Sequence, residues 1–482
     1  MDTENINDDN IKIMESVKKK ERLLTCLYLL IFLLVASSIA LSQPLADVPP
    51  TYANPPDEHA RYLVPRYICE HGTIPSGYDE EVRIPGYGSS YAIYNVLPYI
   101  IMGWVMRFVS IFTDSELILL YSARFVNVIM VTVMAYVVRK LSVRIFDDKA
   151  KKIYLDWLFC LFVTFLPQSL FLHTYVNTDS MAMLSTALII YALVWIYQEG
   201  FSVPNSVILS VGVIFCALSY YNAYGYIVSA VLLCLVYFIR KDDMGKLYYD
   251  RKAMIRWAVP VTGMILLGTA WWFIHNYLLY DGDMLGLRTA NTLKELYAVP
   301  EVNPLYSETY QQMGYTPWQM IKERDFFTIA YASFVAEYGS MSIIANILLY
   351  RIYKMYFIAG FLGYIITIPY YIKEHGFKRL FFHANLVFCM VMPAFLTIYY
   401  AFTSDFQAQG RYMMPMLIPL MIYLVKGMER MEIWGKDHIK FFSDRLAAVL
   451  AVFIMVSIMV LLFWMVYGTA MPIYRMTGVV LG

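Results

Sequence analysis

The chain has 482 residues, of which 59% are hydrophobic and only 16% are charged. Because soluble domains are usually about half apolar, this composition and several uninterrupted apolar stretches predict a polytopic membrane protein. The formal net charge of +1 gives no bulk attraction to polyanions, so no nucleic-acid partner is expected.

The first apolar segment, residues 23–42, is long enough to cross a bilayer as a helix. It follows three lysines at 18–20 and Arg22, and basic residues favour the cytoplasmic side of a membrane. We therefore expect residues 1–22 to form a cytoplasmic tail. The apolar run is longer than that of a signal peptide, which indicates an uncleaved anchor.

A long first external loop, residues 43–116, follows this anchor. It carries an acidic pair, Asp57 and Glu58, next to His59 and Arg61. Ionisable groups at a membrane edge are costly, so two adjacent carboxylates indicate chemistry rather than anchoring.

Residues 92–112 of this loop are apolar and nearly long enough to span, but Pro98 and Arg107 interrupt the run. Counting them as a span would place every later basic loop outside, against the positive-inside rule. We therefore predict a helix that lies in the outer membrane interface.

The positions of the basic loops predict eleven spanning helices and an external C-terminus. The predicted spans are residues 23–42, 117–138, 153–173, 180–197, 205–221, 223–239, 255–276, 354–371, 383–402, 411–427 and 446–467. The expected fold is an all-α polytopic membrane domain over 23–467. A second external loop is expected at 277–353 and an external tail at 468–482.

This topology brings further polar residues to the outer face, at the ends of predicted spans. Such residues are candidates for function because burying them near lipid is costly. Beyond the first loop they are His173, Asn177, Asp179, His275, Asn276, Arg288, Arg411 and Tyr412.

Each candidate also has a purely structural interpretation. Asp57 and Glu58 could be solvated loop acids or could cap a helix, and Asp179 could cap the helix that it begins. Arg411 could anchor its span among lipid headgroups. The two histidines could be packing residues, because no metal-ligand spacing surrounds them. Taken singly, none of these residues decides the function.

Five motifs occur in order along the chain. They are PPDEHARY at 55–62, HTYVNTDSMA at 173–182, HNYLLYDGDMLGL at 275–287, SFVAEYGS at 333–340 and QGRYMMPMLIPL at 409–420. Together they resemble the C-type (GT-C) glycosyltransferases, and within them one bacterial branch of predicted membrane proteins of largely unassigned function. The chain departs from the family pattern at Thr178, where a proline is usual, and at His275, where an arginine is common.

The resemblance implies an integral enzyme of the cell membrane that moves a sugar from a polyprenyl-phosphate carrier to a hydroxyl of an extracytoplasmic glycan or lipid. Inversion at the anomeric carbon is expected from the resemblance alone. The implied roles are a base at Asp57 positioned by Glu58, an acceptor-orienting or cation-binding acid at Asp179, and donor-phosphate arginines at Arg411, Arg288 and Arg61. Three carboxylates could hold Mg²⁺ or Mn²⁺, and the sequence leaves metal dependence open.

Two other functions fit the sequence. A flippase for a lipid-linked glycan would also have many spans, but it predicts midplane acids and inverted repeats that the chain lacks. The chain could also be a non-catalytic scaffold of an envelope-polymer machine. In that case the changes at Thr178 and His275 would reflect the loss of an ancestral catalytic site.

Overall fold

The structure is a computed structural model that describes residues 2–44, 53–146, 153–374 and 377–477. Positions 45–52 of the predicted first loop and 478–482 of the predicted tail lie outside these ranges. The α-helices are α1 (Asp2–Ser42), α2 (Glu58–His71), α3 (Leu97–Val109), α4 (Glu116–Phe146), α5 (Ile153–Thr164), α6 (Pro167–Leu172), α7 (Asp179–Glu199), α8 (Val203–Ala217), α9 (Gly225–Tyr237), α10 (Arg251–Leu279), α11 (Leu287–Tyr297), α12 (Pro317–Glu323), α13 (Phe326–Val335), α14 (Ile347–Glu374), α15 (Phe377–Thr403), α16 (Leu417–His438), α17 (Asp444–Phe463) and α18 (Met471–Thr477).

The described strands form two short antiparallel hairpins. In one, β1 (Ile239–Lys241) pairs with β2 (Leu247–Tyr249). In the other, β3 (Glu337–Tyr338) pairs with β4 (Ile343–Ile344). Short 3₁₀ turns at Glu80–Val82, Tyr91–Ile93, Tyr221–Ala223 and Gly410–Met416, and a π-helical turn at Trp464–Ala470, complete the regular structure.

The all-α polytopic fold is confirmed. Among the described residues, six helices are long and apolar enough to cross a membrane, and they correspond to six of the predicted spans. They are Lys18–Ser42, Glu116–Phe146, Asp179–Glu199, Arg251–Leu279, Lys378–Thr403 and Asp444–Met476. The remaining predicted spans form α5 with α6, α8, α9, α14 and α16. The predicted tail at 1–22 is continuous with the first span, because α1 begins at Asp2.

Two predicted spans are not single helices. Residues 153–173 break between α5 and α6, where Leu166 is extended (φ −61°, ψ 124°) before Pro167. The proline ring disfavours helical backbone in the residue before it. Residues 411–427 begin as the 3₁₀ turn Gly410–Met416 and continue as α16. Both breaks place irregular backbone next to the polar motifs.

The apolar stretch at 92–112 contains α3, which has only 13 residues. At 1.5 Å per residue it is about 20 Å long, short of the roughly 30 Å hydrocarbon core. One face, with Tyr99, Met102 and Met106, is buried, while Trp104 and Phe108 are exposed. The helix packs on α2 and α4.

Candidate active site

Asp57 immediately precedes α2 and has left-handed backbone (φ 60°, ψ 6°). Its side chain caps no backbone N–H of α2, so the interpretation of Asp57 as a helix cap is wrong. The side chain is instead 40% exposed and points to the guanidinium of Arg411. Among the motif carboxylates, it is therefore one that a substrate can reach.

Asp57 belongs to a charge quartet with Arg61, Asp179 and Arg411. Arg411 Nη2 donates to Asp57 Oδ2 at 2.6 Å. Arg61 lies between the two acids, with Nη2 3.9 Å from Asp57 Oδ2 and Nη1 3.7 Å from Asp179 Oδ2. Positions more than 350 residues apart in the chain thus converge, and two positive and two negative charges balance.

Three members of the quartet are almost fully buried, since Arg61, Asp179 and Arg411 have side chains only 5–7% exposed. The interpretation of Arg411 as a headgroup anchor is therefore wrong. Within the described chain, Arg411 Nε, Arg411 Nη1, Arg61 Nε and Asp179 Oδ2 have no hydrogen-bond partner. Buried polar groups are nearly always paired, so these atoms indicate room for a ligand or water.

Burial raises the pKa of Asp57, but the guanidinium groups of Arg411 and Arg61 lower it by more, so the pKa lies below the ordinary 3.8. Asp57 is therefore ionised at neutral pH. An ionised carboxylate accepts a proton from a hydroxyl, which a neutral carboxyl cannot do.

Tyrosines that the sequence did not single out surround the quartet. The Arg61 guanidinium lies 5.0 Å from the ring centre of Tyr91, a cation–π distance. The buried hydroxyls of Tyr99 and Tyr175 face the guanidinium groups of Arg61 and Arg411, respectively, without a hydrogen bond of ordinary geometry in the described chain. With 42 tyrosines in the chain, the sequence carries no signal that separates these from tyrosines of the membrane interface.

Tyr412 extends the quartet toward the surface. Arg411 Nη2 donates to the Tyr412 hydroxyl at 3.0 Å, and that hydroxyl donates to Gln407 Oε1. Gln407 in turn donates to Asp405 at 2.8 Å. The loop before α16 thus fixes the position of Arg411.

Glu58 points away from the quartet. Both of its oxygens bind Arg124, at 2.8 and 2.5 Å, and Oε1 also accepts from the Val176 N–H at 2.8 Å. Arg124 donates further to the carbonyls of Ala40 and Gln43. Glu58 therefore connects α2 with α1, α4 and the turn before α7, which is a positioning contact.

Asn177, and not Asp179, caps α7. Asn177 Oδ1 accepts from the N–H groups of Asp179 at 2.9 Å and Ser180 at 3.4 Å, while its Nδ2 donates to Leu172 O at 2.6 Å. The interpretation of Asp179 as the cap is wrong, and its carboxylate faces Arg61 instead. His173 is buried behind this turn, with Nδ1 3.3 Å from Ser180 Oγ.

The remaining sequence candidates lie outside the quartet. His59 is half-buried in the first turn of α2. Exposed His275 stacks on Trp272, and buried Asn276 donates to the carbonyls of Ile93 and Met284. Exposed Arg288 donates to the Asp281 carbonyl at 2.8 Å. Within the described residues, none of these four side chains forms a hydrogen bond or an ion pair with a member of the quartet.

The three motif carboxylates do not fit a divalent cation. Mg²⁺ and Mn²⁺ require several oxygen ligands close together. Here Glu58 is taken up by Arg124, and Arg61 lies between Asp57 and Asp179. In the described ranges, one cluster has acidic and histidine side chains close enough together to hold a metal ion. Its members are the exposed residues Glu70, His71 and Glu81, none of which belongs to the quartet.

Comparisons with known proteins give both a family and a fold. The family described as "Predicted membrane protein (DUF2142)" matches residues 70–421, more than half of the chain, and this range includes Asp179 and Arg411. None of the curated proteins matches the chain.

Among solved structures, the chain is similar to the oligosaccharyltransferase of Archaeoglobus fulgidus. The complex of that enzyme with Zn and sulfate matches with 12% identity and a TM-score of 0.51, over 92% of this chain and 53% of that one. The apo form of the same enzyme matches with 12% identity and a TM-score of 0.51, over 93% of this chain and 56% of that one. The complex of the oligosaccharyltransferase AglB with an inhibitory peptide and a dolichol-phosphate matches with 12% identity and a TM-score of 0.49, over 93% of this chain and 56% of that one. The chain thus shares the GT-C-like fold and spans about half the length of these structures.

Proposed function

The chain belongs to the DUF2142 family of membrane proteins, and from its GT-C-like fold and the quartet we propose that it is a membrane glycosyltransferase. It moves a sugar from a polyprenyl-phosphate carrier to a hydroxyl of an extracytoplasmic glycan or lipid. The observation that supports this most is the pairing of a reachable carboxylate, Asp57, with a buried arginine, Arg411, that has two unpartnered donors. Transfer of a sugar from a lipid phosphate requires both a base and a group that binds the phosphate.

In the proposed reaction, Asp57 accepts the proton of the acceptor hydroxyl as its oxygen bonds to the anomeric carbon. The bond between that carbon and the phosphate oxygen breaks, and the electron pair leaves with the polyprenyl phosphate. Arg411 Nε and Nη1 form no hydrogen bond of ordinary geometry in the described chain, although the Tyr175 hydroxyl lies near the guanidinium, and they would donate to the leaving phosphate. Guanidinium groups suit this task because they remain charged and present several donors.

Arg61 and Asp179 complete the site behind Asp57. Arg61 contacts both acids, so it fixes their separation and keeps Asp57 ionised. Asp179 Oδ2, which has no hydrogen-bond partner in the described chain, is suited to accept from a second hydroxyl of the acceptor and so orient it. Glu58, held by Arg124, positions the start of α2.

The charge distribution supports an extracytoplasmic site and a cytoplasmic N-terminus. The quartet adjoins the C-terminal end of α1 and the N-terminal ends of α7 and α16. The basic residues Arg139 and Arg144 lie at the far end of α4, and Lys426 and Lys436 lie further along α16. Basic residues favour the cytoplasmic face, and this preference supports an extracytoplasmic position for the quartet. There it meets a carrier whose phosphate lies at the membrane surface.

The test is carrier release by the purified full chain in lipid nanodiscs, with a panel of labelled polyprenyl-phosphate hexoses and pentoses and an extract of envelope glycans and lipids as acceptor. We expect free polyprenyl phosphate and a labelled glycoside from at least one donor. Asp57→Asn should reduce both about 10²- to 10⁴-fold, the usual contribution of a positioned base.

The matched control is Asp114→Asn, an exposed aspartate before α4, which should retain wild-type activity. Full activity of Asp57→Asn would contradict the assigned base. In sealed proteoliposomes that contain the full chain, movement of labelled donor across the bilayer without carrier release would favour a flippase over the enzyme.

A further inference from the structure

Residues 333–340, here called the brace, connect the three chain segments that carry the quartet. Ser333 Oγ accepts from the Gly410 N–H at 2.7 Å, next to Arg411. Ser340 Oγ donates to the Asn54 carbonyl at 3.1 Å, three residues before Asp57. The brace therefore holds the two chain segments that present the base and the phosphate-binding arginine.

The third connection runs through Glu337, in β3. Its N–H donates to Gln168 Oε1 at 2.7 Å, and the next residue, Tyr338, donates its hydroxyl to the Pro167 carbonyl at 2.9 Å. Tyr338 also stacks on Phe171, with ring centres 4.4 Å apart. These contacts fix the brace to α6, which leads directly into the turn before Asp179.

The carboxyl group of Glu337 has no role in these contacts. The residue is 7% exposed, and its Oε2 has no hydrogen-bond partner in the described part of the chain. No cation within the described ranges pairs with it, whereas the buried acids Glu58 and Asp179 both face arginines. An unpaired buried carboxylate is costly, so this site favours the neutral acid.

The packed neighbours offer little compensation. From α14, Tyr350 faces Glu337, but its hydroxyl already donates to Ala336 O at 2.7 Å and accepts from Ala345 N–H at 3.1 Å. From α13, Tyr331 donates to the Tyr350 carbonyl. The described residues of α6 and β4 carry no charged side chain. Burial consequently raises the pKa of Glu337 to about 7.

We propose that Glu337 is a positioning residue that holds the brace closed in its neutral form and lets it open when ionised. Ionisation in the closed hairpin leaves a buried charge without a partner. Opening of the β3–β4 hairpin solvates that charge and releases the contacts to Gly410 and Asn54. The separation between Asp57 and Arg411 is then no longer fixed.

The direction of the pH effect follows from the raised pKa. The open hairpin exposes Glu337 to water, where its pKa is near the ordinary 4.5, and the closed hairpin binds the proton more tightly. The stabilisation of the closed form is complete below about pH 4.5 and is lost as the pH rises to about 7. Between these values the opening equilibrium constant should rise about tenfold per pH unit, and above them it should level off.

The test is hydrogen exchange of peptides covering 333–344 in the full chain in nanodiscs, corrected for the intrinsic pH dependence of exchange. From pH 5.5 to pH 6.5 we expect the opening equilibrium constant of the wild type to increase about sevenfold, because the upper pH is already near the raised pKa. Glu337→Gln, an isosteric neutral residue, should stay closed and pH-independent. Glu323→Gln, an exposed acid on nearby α12, should behave as the wild type.

A flat wild-type profile, or an unchanged pH dependence in Glu337→Gln, would overturn the proposal. A second readout rests on the proposed function. The rate of carrier release by the wild type should fall as the pH rises toward about 7 and above, and this alkaline decrease should be absent in Glu337→Gln. Because hydrogen exchange needs no substrate, failure of the proposed function would leave the first result standing.

Discussion

Arg411 contacts two different groups through one nitrogen, since Nη2 donates to Asp57 and to the Tyr412 hydroxyl. A lysine at this position keeps the charge but has one compact donor group in place of a planar fork. In the proposed function, Arg411 needs the planar fork because it binds Asp57, Tyr412 and the donor phosphate at the same time.

Arg411→Lys should lower kcat/KM about 10- to 100-fold, because a charged hydrogen bond contributes about 1.5–3 kcal/mol. The measurement is carrier release at varied donor concentration. Arg66→Lys, which alters an exposed ion pair with Glu70 and Glu116, serves as the matched control. Equal losses in the two variants would argue against a specific role for the fork.

Removal of divalent cations should leave transfer unchanged. Arg61 lies between Asp57 and Asp179, so a guanidinium supplies the positive charge there. The measurement is the initial rate after dialysis against EDTA, compared with the rate after added Mg²⁺ or Mn²⁺. A loss that either ion restores would show that the acids rearrange around a metal.

Glu58→Gln should destabilise the protein, in contrast to Asp57→Asn. It leaves the buried Arg124 without its counter-charge, and breaking a buried pair costs about 3–5 kcal/mol. The measurement is the thermal midpoint in nanodiscs, with Glu116→Gln, at an exposed acid, as the control. The double variant Glu58→Gln with Arg124→Met should recover part of the loss.

The residue types of the site could be predicted from the sequence, but their partners could not. Charge and motif order pointed to Asp57, Asp179 and Arg411, which the structure brings together. Nothing in the spacing shows that Glu58 faces Arg124 or that Asn177 caps α7, because adjacent residues can face different neighbours. The roles of Arg288 and His275 were inferred from motif position, and their exposed side chains lie apart from the quartet.

At the scale of helices, apolar length predicted the spans well where one helix crosses alone. It did not predict the interruptions within 153–173 and 411–427, where the backbone is extended before Pro167 or forms the 3₁₀ turn Gly410–Met416. In both segments the hydrophobic run continues through the break, so hydropathy alone cannot show it. These breaks supply the irregular backbone that carries Gly410 and the turn before Asp179.

The crossing of α14 and α16 also depends on small residues. A Cβ at Gly427 would lie 1.7 Å from the Gly360 carbonyl oxygen, so the two helices touch backbone to backbone. Gly427→Ala should lower the thermal midpoint, with a cost of about 1–3 kcal/mol for the forced separation. Gly263→Ala in α10, where the added methyl meets nothing within 4 Å, should leave the midpoint unchanged or raise it. Equal midpoints in the two variants would exclude the close crossing.

For the whole molecule, the proposed topology assigns opposite faces to the two ends of α4. In a cysteine-free background, Asp114→Cys should react with a membrane-impermeant maleimide in intact cells. Lys140→Cys should react only after the cells are opened. The six native cysteines, of which Cys26 is exposed, must be replaced first. The reverse labelling pattern would put the quartet on the cytoplasmic face and contradict the proposed extracytoplasmic site.

The contact of 2.6 Å between Arg411 and Asp57 makes the strength of the base depend on occupancy. In the empty site the guanidinium draws electron density from the carboxylate and weakens it. In the proposed reaction, an arriving phosphate would compete for the same cation and return basicity to Asp57 when a sugar is in position. Asp57 would then be a weak base until the donor is bound, which predicts an order in which the carrier binds before the acceptor.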